Sequence, residues 1–581
     1  MSIVDMRAVT LVGSRQYKDN VLAGLQSLGF LHLLAWDNTP KDVETLPAEV
    51  RDALHFLETC PEQRRQLHDE DAFNALAVTR EVLELKPKLH NLEDERDALQ
   101  ERINALKPWG NFQLPPLEDL AGYRLWFYEI PHPLVKQLED VNVPWQCVHK
   151  DNRISYTVAL SQDEPTGMPV KRTRTGYQAL SVLQGRLEHV ISAIEDVQAA
   201  RQRLTRWREL LTKHVQQLED SAEQQHAAGL SYDDDALFAL KAWCPLPQLG
   251  QLETYAEQNG LALLVQEPQP ADTPPTLLKN SDPTASGQDL VTFYMTPNYW
   301  LWDPSAVVLY SFAVFFAIIV SDAGYALGLG VVLLFLWKRL GAGHMRRLLL
   351  LLTGTSLVWG MVAGSYFGFA PPAGSWLERV AVVNVRDSAQ MIPLMVILGA
   401  SHLILANALT IREAFKRFGW SWRLLSPAGW IVALIAGLAL YLGGISNPGL
   451  IALSVGLAVV AVFAGAGQPL LPRILSGAKS LTSITSAFGD TLSYLRLFAL
   501  GLASASLAIT WNDLAAQAAG SPGPFGNLFA LLIFLLGHIL NFVLALVSGV
   551  VHGLRLNFIE FFNWSVSEEG LRYRPFRRRV M

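Results

Sequence analysis

The stretch at residues 490–511, DTLSYLRLFALGLASASLAITW, decides the fold class of the C-terminal half. From Leu492 to Trp511 it has the length and apolarity of a helix that crosses a membrane, yet it contains Arg496. A charged side chain near the centre of a bilayer costs about 2.5 to 3.5 kcal/mol on insertion scales, so it is rarely kept without a function. Arg496 is therefore the first candidate functional residue.

The rest of the sequence divides into two unlike halves. Residues 1 to about 290 carry charge densely, whereas residues 424–472 and 514–554 contain no Asp, Glu, Lys or Arg. These runs exceed the roughly 20 apolar residues that cross the hydrocarbon core of a bilayer. The sequence therefore predicts a polytopic α-helical membrane domain over residues 291–581, preceded by a water-soluble domain over residues 1–290.

The N-terminus and the cysteines indicate where the soluble domain resides. The first residues, MSIVDMRAVTLVGSR, lack the apolar segment of a signal peptide, so we expect this domain in the cytoplasm. Cys60, Cys147 and Cys244 lie far apart and form no CxxC pair. Their spacing fits a reducing compartment and argues against a disulfide framework or a cysteine-ligated metal.

Apolar spacing predicts three parts of the soluble domain. Residues 6–35 predict a strand, a helix and a strand, in a proximal α/β lobe over about 1–70 and 230–270. A period of about 3.5 residues predicts an antiparallel coiled-coil hairpin over about 71–108 and 176–228. Two β-rich runs between these helices predict a distal α/β lobe over about 110–172.

The hairpin seam is sustained beyond the usual length of a globular helix, about 10 to 14 residues. Its apolar positions are Leu85, Leu89, Leu92, Leu99, Ile103 and Leu106 in one helix and Leu180, Leu183, Leu187, Val190, Ile194, Val197, Leu204, Leu211, Val215 and Leu218 in the other. Pro87 and Arg96 interrupt the first series, and Arg201 and Arg208 occupy two positions of the second. We expect a dumbbell-shaped domain, with a compact helical bundle as the alternative. No GxxxxGK[ST] or GxGxxG motif indicates a nucleotide site.

The apolar runs of the membrane domain predict eight spans, two of them long and tilted. A split of residues 305–337 at Asp322 supplies two, because a helix of that length would measure about 50 Å. The others cover about 347–368, 390–410, 426–443, 448–466, 481–511 and 525–562. Basic segments such as KRLGAGHMRR and RYRPFRRR then fall on the side of the N-terminus, so both termini are expected in the cytoplasm. Binding of anionic lipid by the basic tail is an alternative reading of its charge.

Helical projection gathers polar residues into stripes on the last two spans. On a continuous helix Thr482, Ser486, Ser493, Arg496 and Ser504 fall within about 80° of one another. Asn541, Ser548, His552 and Arg555 share an arc of about 100°, and Glu560 lies just beyond. Such stripes can line a path for ions or water.

Simpler roles compete for several of these residues. Arg555 and Glu560 can snorkel to the cytoplasmic interface, and Asp322 can cap a turn. His402 and Asn407 lie on different faces of their helix, so we expect them to serve helix packing. For Arg496, near the middle of its span, snorkelling is the weaker explanation.

Several motifs occur in the order seen in a known family. They are PPTLLKN (274–280), SDAGYALG (321–328), GSYFGF (364–369), SYLRLFALGLASASLA (493–508), HGLRLNFIEFF (552–562) and EEGLRYRPF (568–576). With them the chain resembles the membrane stator subunit of V-type and archaeal-type rotary ATPases, called subunit a or subunit I. Family members usually have Gly where Ser321 and Ala326 stand. Some also carry a carboxylate a few turns before the arginine, where this chain offers Thr482, Ser486 and the nearer Asp490.

The resemblance implies a non-catalytic subunit that conducts H+ or Na+ through two half-channels beside a rotating proteolipid c/K ring. Arg496 would face the ring carboxylates and Arg555 would be a second cation. The polar stripe residues, with Asp490 and Asp322, would be candidates for lining the half-channels. The implied partners are the ring, peripheral stalk E/G subunits, the central-stalk subunit d/C and the lipid bilayer of a prokaryotic plasma membrane. No cofactor, metal or nucleic acid is expected.

Two other classes of protein fit parts of the sequence. A polytopic secondary transporter with a cytosolic regulatory domain is the main alternative, although residues 300–440 and 440–581 show no convincing repeat. A purely structural anchor for a cytosolic rod leaves Arg496 unexplained.

Overall fold

The computed structural model describes residues 2–36, 48–114, 120–176, 178–341, 343–466, 469–521, 525–566 and 568–579. The chain forms two compact units. The first comprises Met1–Val21, Leu28–Trp36 and Ser231–Phe576, and the second comprises Leu22–Ser27, Asp37–Leu230 and Arg577–Met581.

The N-terminal half combines eight strands with seven helices among its described residues. In chain order these are β1 (Met6–Ser14), α1 (Lys18–Leu28), β2 (His32–Leu34), α2 (Ala48–Glu58), α3 (Ala75–Leu106), β3 (Arg124–Pro131), β4 (Trp145–Lys150), β5 (Ile154–Ser161), α4 (Leu180–Leu204), α5 (Arg208–Leu230), β6 (Tyr232–Asp233), β7 (Leu237–Pro245), α6 (Leu249–Gln258), β8 (Ala262–Gln266) and α7 (Ala285–Tyr294). The strand, helix and strand predicted for residues 6–35 are confirmed as β1, α1 and β2.

In the first unit, the N-terminal strands complete an antiparallel sheet. Its order is β2-β7-β1-β8, and β6 pairs with β7. Val9 and Leu11 of β1 and the paired Leu240 of β7 are buried, because residues two apart on a strand face the same side of the sheet. Burial also raises the pKa of the Cys244 thiol in β7 to about 12.

In the second unit, α3 and α4 pack as the predicted antiparallel pair. Ion pairs join Arg186 to Glu95 at 2.5 Å and Arg203 to Glu81 at 2.7 Å, which fixes the opposite directions of the two helices. Seven of the predicted seam residues of α4 and α5 are buried: Leu183, Val190, Ile194, Val197, Leu204, Leu211 and Val215. The first four share a core with Leu89, Leu99 and Ile103 of α3, whereas the last three share a second core with α2 and the start of α3. The apolar period therefore identified the α3–α4 interface but not the contact with α2.

The predicted continuous helix is interrupted, which corrects the sequence analysis. A 3-10 turn, Thr205–Trp207, separates α4 from α5. The Thr205 hydroxyl donates to the carbonyl of Gln202 at 2.7 Å and accepts the backbone N–H of Arg64 at 2.9 Å. Arg201 occupies a seam position, at which an apolar residue would face α3. It instead donates to the carbonyl of Phe56 in α2 at 2.6 Å.

The two β-rich runs are confirmed as strands β3 and β5. They form an antiparallel three-stranded sheet, β3-β5-β4, whose third strand was not predicted. The described part of this region contains a 3-10 helix, His132–Asp140, in place of an α-helix. The dumbbell outline and the domain boundaries stay predictions.

The C-terminal half is built mainly of helices joined by loops in its described residues. It contains α8 (Ser305–Val320), α9 (Ala323–Leu336), α10 (Gly343–Ala363), α11 (Trp376–Val380), α12 (Ser388–Phe418), α13 (Leu425–Gly443), α14 (Asn447–Phe463), α15 (Leu470–Leu492), α16 (Leu495–Ala519), α17 (Gly526–Arg555), a π-helix (Leu556–Phe561) and α18 (Phe562–Ser565). Five helical stretches are long and apolar enough to cross a membrane: Gly343–Ala363, Ser388–Phe418, Trp422–Gly443, Leu475–Ala519 and Gly526–Ser565.

The remaining apolar helices are shorter, so eight spans stay a prediction. The chain breaks next to Asp322 as expected, but α8 and α9 meet at 119°, which makes them a broken span or a re-entrant loop. With 16 and 14 residues they measure about 24 and 21 Å, less than the roughly 30 Å of the hydrocarbon core. Counted as one span, the pair gives up to six. The apolar helix α14 has 17 residues.

Candidate functional site

Two arginines from neighbouring helices converge on one buried carboxylate. Arg496, in the first turn of α16, places Nη1 3.9 Å from Oε1 of Glu560, and Arg555, at the end of α17, places Nε 4.0 Å from the same oxygen. The Glu560 side chain is 3% exposed, against 25% for Arg496 and 47% for Arg555. We call these three residues the Arg–Glu cluster; its formal net charge is positive.

The Arg–Glu cluster retains unused hydrogen-bonding capacity. Nη1 of Arg496 and Oε2 of Glu560 are buried and have no hydrogen-bond partner among the described residues. Distances near 4 Å exceed those of direct hydrogen bonds, so the pairing is electrostatic. Unpartnered buried charges of this kind are costly and indicate a site that receives water, an ion or a further group.

The π-helix carries Glu560 to this position. A π turn takes up about one residue more than an α turn, so Glu560, near the end of the π-helix Leu556–Phe561, is set back by most of the roughly 100° that one residue subtends. That rotation moves Glu560 from beside the polar stripe of α17 onto it. Snorkelling of Glu560 to an interface is therefore wrong, because the residue is buried. The half-exposed Arg555 keeps an exposed face as well as its contact with Glu560.

His552 completes the polar face of α17 beside the cluster. It lies within electrostatic reach of both Arg496 and Arg555, and its Nδ1 is buried without a hydrogen-bond partner among the described residues. Ser548 lies one turn earlier and is half-buried, with no recorded side-chain hydrogen bond to the cluster in the described part of the chain. The predicted stripe on α17 thus ends in the charged cluster.

A second buried polar group lies farther along α16 and α17. Nδ1 of His538 lies 2.9 Å from the Tyr325 hydroxyl oxygen, and Nε2 of the same ring lies 2.9 Å from Oδ1 of Asn512. Asn541 donates from Nδ2 to the Tyr325 hydroxyl and to the carbonyl of Ser504, both over 2.8 Å. We call Tyr325, His538, Asn512 and Asn541 the histidine network.

The acceptors in the histidine network fix its direction. Because Oδ1 of Asn512 can only accept, Nε2 of His538 donates to it, and in the neutral imidazole Nδ1 then accepts from the Tyr325 hydroxyl. His538 and Asn541 are buried, whereas Asn512 is half-exposed. The Ser504 hydroxyl is buried and has no partner among the described residues. A hydrogen-bonded chain therefore leads from a partly exposed amide to the interior of the helix bundle.

Asp322 organises a loop. Its carboxylate caps α9 by accepting the N–H of Tyr325 at 3.0 Å, and it accepts the N–H groups of Phe367 and Gly368, each at 2.9 Å. The Ser365 hydroxyl supplies a further bond at 2.6 Å. Asp322 thus joins the SDAGYALG and GSYFGF motifs, and the turn-capping role accounts for every bond that its carboxylate makes.

The remaining predicted residues lie apart from the Arg–Glu cluster. Thr482 and Ser486 are exposed on α15, and Ser493 falls in the short turn that separates α15 from α16. This turn keeps right-handed helical backbone angles, and Leu475–Ala519 continues across it as one helical stretch that contains the predicted span over 481–511. Asp490 accepts the indole N–H of Trp564 at 2.7 Å, which holds α18 against α15.

His402 and Asn407 serve packing, as expected. His402 contacts the Tyr494 hydroxyl at 2.7 Å and stacks on Phe561 of the π-helix with ring centroids 4.3 Å apart. Asn407 donates to the carbonyl of Leu403 at 2.9 Å within its own helix. Within the described ranges, no group of three or more His, Cys, Asp and Glu side chains is arranged to hold a metal ion.

Sequence reasoning missed three members of the histidine network: Tyr325, His538 and Asn512. A signal for His538 was present, because it is a titratable residue inside the uncharged run 514–554 and lies three positions before Asn541. Tyr325 and Asn512 carry no such signal, since their partners come from distant parts of the chain.

These features define a helical multi-pass membrane protein with a charged cluster buried among its last helices. The chain is similar to subunits of V-type and A-type ATP synthases. The chain is 26% identical to the V-type ATP synthase subunit I of Chlamydia pneumoniae, over 87% of this chain and 86% of the relative. It is 23% identical to the subunit of the same name in Borreliella burgdorferi, over 99% of each chain. It is 26% identical to the A-type ATP synthase subunit I of Methanocaldococcus jannaschii, over 69% of this chain and 64% of the relative.

The resemblance to the subunit I family of V-type and A-type ATP synthases is thereby confirmed over most of the chain. No family model matches the sequence.

Proposed function

We propose that this protein is the membrane stator subunit of a V/A-type rotary ATPase and conducts H+ or Na+ past a rotating ring of carboxylate-bearing subunits. The observation that carries the proposal is the state of Arg496. Its guanidinium is balanced by a buried carboxylate 3.9 Å away, yet a quarter of the side chain remains exposed. A cation kept in this state can meet a second carboxylate that arrives from outside the chain.

The surface beside Arg496 suits a close partner. Ala499, Ala503, Ser506 and Thr510 follow the arginine on α16 at steps of three, four, three and four residues, and all are exposed. Small residues on one face of a membrane helix allow another helix to approach closely. This face supports a contact between α16 and a helix of the ring.

The charge of Arg496 would drive ion release from the ring. An arriving carboxylate at about 4 Å gains on the order of 4 kcal/mol at an effective dielectric of 20, which favours its ionised form and expels the bound ion. Glu560 competes for the same guanidinium, so the carboxylate is not trapped. The fixed positive charge also repels a cation that would otherwise cross without rotation.

The two polar groups then correspond to two half-channels. Ser504 and Asn512 lie about 12 and 24 Å beyond Arg496 along the axis of α16, so the histidine network occupies one side of the arginine. His552, Arg555 and the end of α17 occupy the other. Basic loops favour a cytoplasmic position for this second side and for both termini, in a prokaryotic plasma membrane. Thr482, Ser486, Ser493 and Ser548 are further candidates for channel lining.

The soluble domain would act as a mechanical support. The antiparallel pair of α3 and α4, crossed by ion pairs, is suited to resist torque and to bind the peripheral stalk E/G subunits and the central-stalk subunit d/C. On this proposal the chain is non-catalytic, and ATP is bound and hydrolysed or formed by other subunits.

The proposal is tested by replacing Arg496 with alanine in a reconstituted complex. We expect ATP-driven ion pumping to be abolished while the complex still assembles, because the replacement removes the cation that discharges the ring. Arg379→Ala, at an exposed position of α11, is the matched control and should pump normally. Normal coupled pumping by the Arg496→Ala variant would refute the mechanism.

One observation favours a secondary transporter as the second candidate. The 119° break between α8 and α9 resembles the broken helices that bind substrate in such proteins. The carboxylate at this break is already occupied by backbone N–H groups, and a second broken pair is absent from the described residues. Purification in mild detergent separates the candidates, since a stator subunit should retain ring and stalk subunits and a transporter should remain alone.

A further inference from the structure

A cationic pocket lies at the edge of the first unit's sheet, away from the Arg–Glu cluster. It has a volume of about 490 Å³, within the range of ligand pockets. Its polar lining includes Arg572, Arg574, His32, Thr292, Thr296 and Glu569. We call it the tail pocket, because the segment after α18 forms one wall.

The wall is held by backbone hydrogen bonds. Gly570 donates to the carbonyl of Thr296 at 2.8 Å, and Phe576 donates to the carbonyl of Leu31 at 2.7 Å. A Cβ on Gly570 would lie 2.4 Å from the carbonyl oxygen of Pro297, so only glycine permits this close approach. The basic segment RYRPF is therefore a fixed part of the fold.

His32 fixes the position of the second arginine. Its Nδ1 accepts the backbone N–H of Arg574 at 3.0 Å, and burial lowers the pKa of the imidazole. A neutral His32 is the form that can accept this bond. Arg574 is thus held with its backbone against β2 and its side chain exposed at the pocket.

The two arginines of the pocket are not neutralised within the described residues. Neither Arg572 nor Arg574 has a carboxylate within 4 Å there, whereas Arg347 in the same unit pairs with Asp282 at 3.0 Å. Glu569 is the acidic residue of the lining. With a neutral His32, the pocket carries a net positive charge and can take a ligand with one or more negative charges.

The position of the tail pocket along the chain indicates the source of the ligand. Thr292 and Thr296 shortly precede α8, and Glu569 and Arg574 shortly follow α18, so both walls adjoin membrane helices. Basic residues next to membrane helices attract the phosphates of anionic lipids, and basic pockets there bind lipid headgroups.

We infer that the tail pocket binds the phosphate of an anionic phospholipid headgroup. Arg572 and Arg574 contact the phosphate oxygens by charge-assisted hydrogen bonds, and the guanidinium geometry suits this group. A soluble phosphate ester has the same chemistry and is the competing source. Lipid binding at this pocket does not depend on ion translocation, so either property can be absent without the other.

The test is native mass spectrometry of the full chain released from nanodiscs that contain phosphatidylglycerol and phosphatidylcholine. We expect the wild type to retain phosphatidylglycerol selectively. Arg572→Gln with Arg574→Gln should weaken retention by about 10- to 30-fold, the effect of two cations at an anionic surface. Arg577→Gln with Arg578→Gln removes the same charge from the same tail outside the pocket and should retain the lipid.

A variant that is expected to bind the lipid more tightly distinguishes a specific effect from misfolding, because a misfolded protein would lose the lipid. Glu569→Gln removes the acidic residue of the pocket and should raise phosphatidylglycerol retention severalfold. Equal losses in the two double variants would overturn the inference in favour of general attraction to a basic tail. Binding of free glycerol 3-phosphate as tight as that of the lipid would overturn the assignment to a headgroup.

Discussion

Replacing Glu560 with glutamine removes the charge that Arg496 and Arg555 share. The change keeps the size of the side chain and leaves two cations without their common partner. In contrast, Arg496→Gln leaves a buried carboxylate that only the half-exposed Arg555 can balance. The two replacements therefore test opposite sides of one interaction, and the double variant removes both charges together.

The distances set the magnitude. A unit pair separated by 3.9 Å is worth about 4 kcal/mol at an effective dielectric of 20. Because Arg496 is 25% exposed and makes no direct hydrogen bond to Glu560, we expect solvent to reduce the coupling to about 1 to 3 kcal/mol. Arg496→Gln alone should destabilise the fold by about 2 kcal/mol and Glu560→Gln by about 1 kcal/mol, since the first leaves a buried charge poorly paired.

The assay is a double-mutant cycle on the free energy of unfolding, measured by tryptophan fluorescence in mixed detergent micelles. The double variant should be more stable than the sum of the single changes predicts. In the reconstituted complex, Glu560→Gln should slow pumping about tenfold without abolishing it, because the uncompensated cations hold a ring carboxylate longer.

Additive effects would refute this reasoning. If the two single changes add within about 0.5 kcal/mol, the charges do not interact and Glu560 has another role. Faster pumping by Glu560→Gln would likewise show that the carboxylate does not oppose retention by Arg496.

Three further predictions concern the fold. Gly360→Ala should destabilise the protein by about 2 kcal/mol or more, because its Cβ would lie 2.3 Å from a backbone nitrogen of α9. Gly354→Ala is the control: it lies on the same helix, its Cβ would meet open space, and thermal unfolding should be unchanged. Asp322→Asn should cost about 2 kcal/mol in the same measurement and increase proteolysis of the 365–368 loop, since an amide can accept fewer of its backbone bonds. Iodoacetamide at pH 8 should label the half-exposed Cys147 but not the buried Cys244, because burial raises the pKa of the Cys244 thiol to about 12. The free energy of unfolding should fall as the pH rises from about 9 to 12, because in that range the thiol loses its proton in the unfolded chain but keeps it in the folded protein.

Apolar periodicity predicted the elements that repeat regularly. The seam of α3 and α4 follows from it, because burial on one face requires regular spacing. Long apolar runs predicted the bounds of α13 and α14 to within three residues, whereas α12 continues to Phe418, eight residues beyond its predicted end. Periodicity carries no information on where a helix is interrupted by distant contacts. The turn at Thr205 depends on Arg64, so the local sequence gave no sign of it.

The same limit explains how much of the candidate site was predicted. Arg496, Arg555 and Glu560 were found because a charge inside an apolar run is visible in the sequence. Their convergence depends on the π-helix, and that helix is stabilised by tertiary contacts such as the hydrogen bond between Ser311 and Asn557. A projection that assumes a uniform 100° per residue cannot reproduce this local change of winding.

The docked tail has a consequence for how the protein is made. The edge strand β2 is translated before the helices of the C-terminal half, yet Arg574 binds His32 across 542 residues of sequence. During synthesis this edge lacks its covering segment while every membrane helix is inserted, and uncovered sheet edges are sites of wrong pairing. The sheet of the first unit therefore gains the contact between Arg574 and His32 only after helices α8 to α18 have been translated.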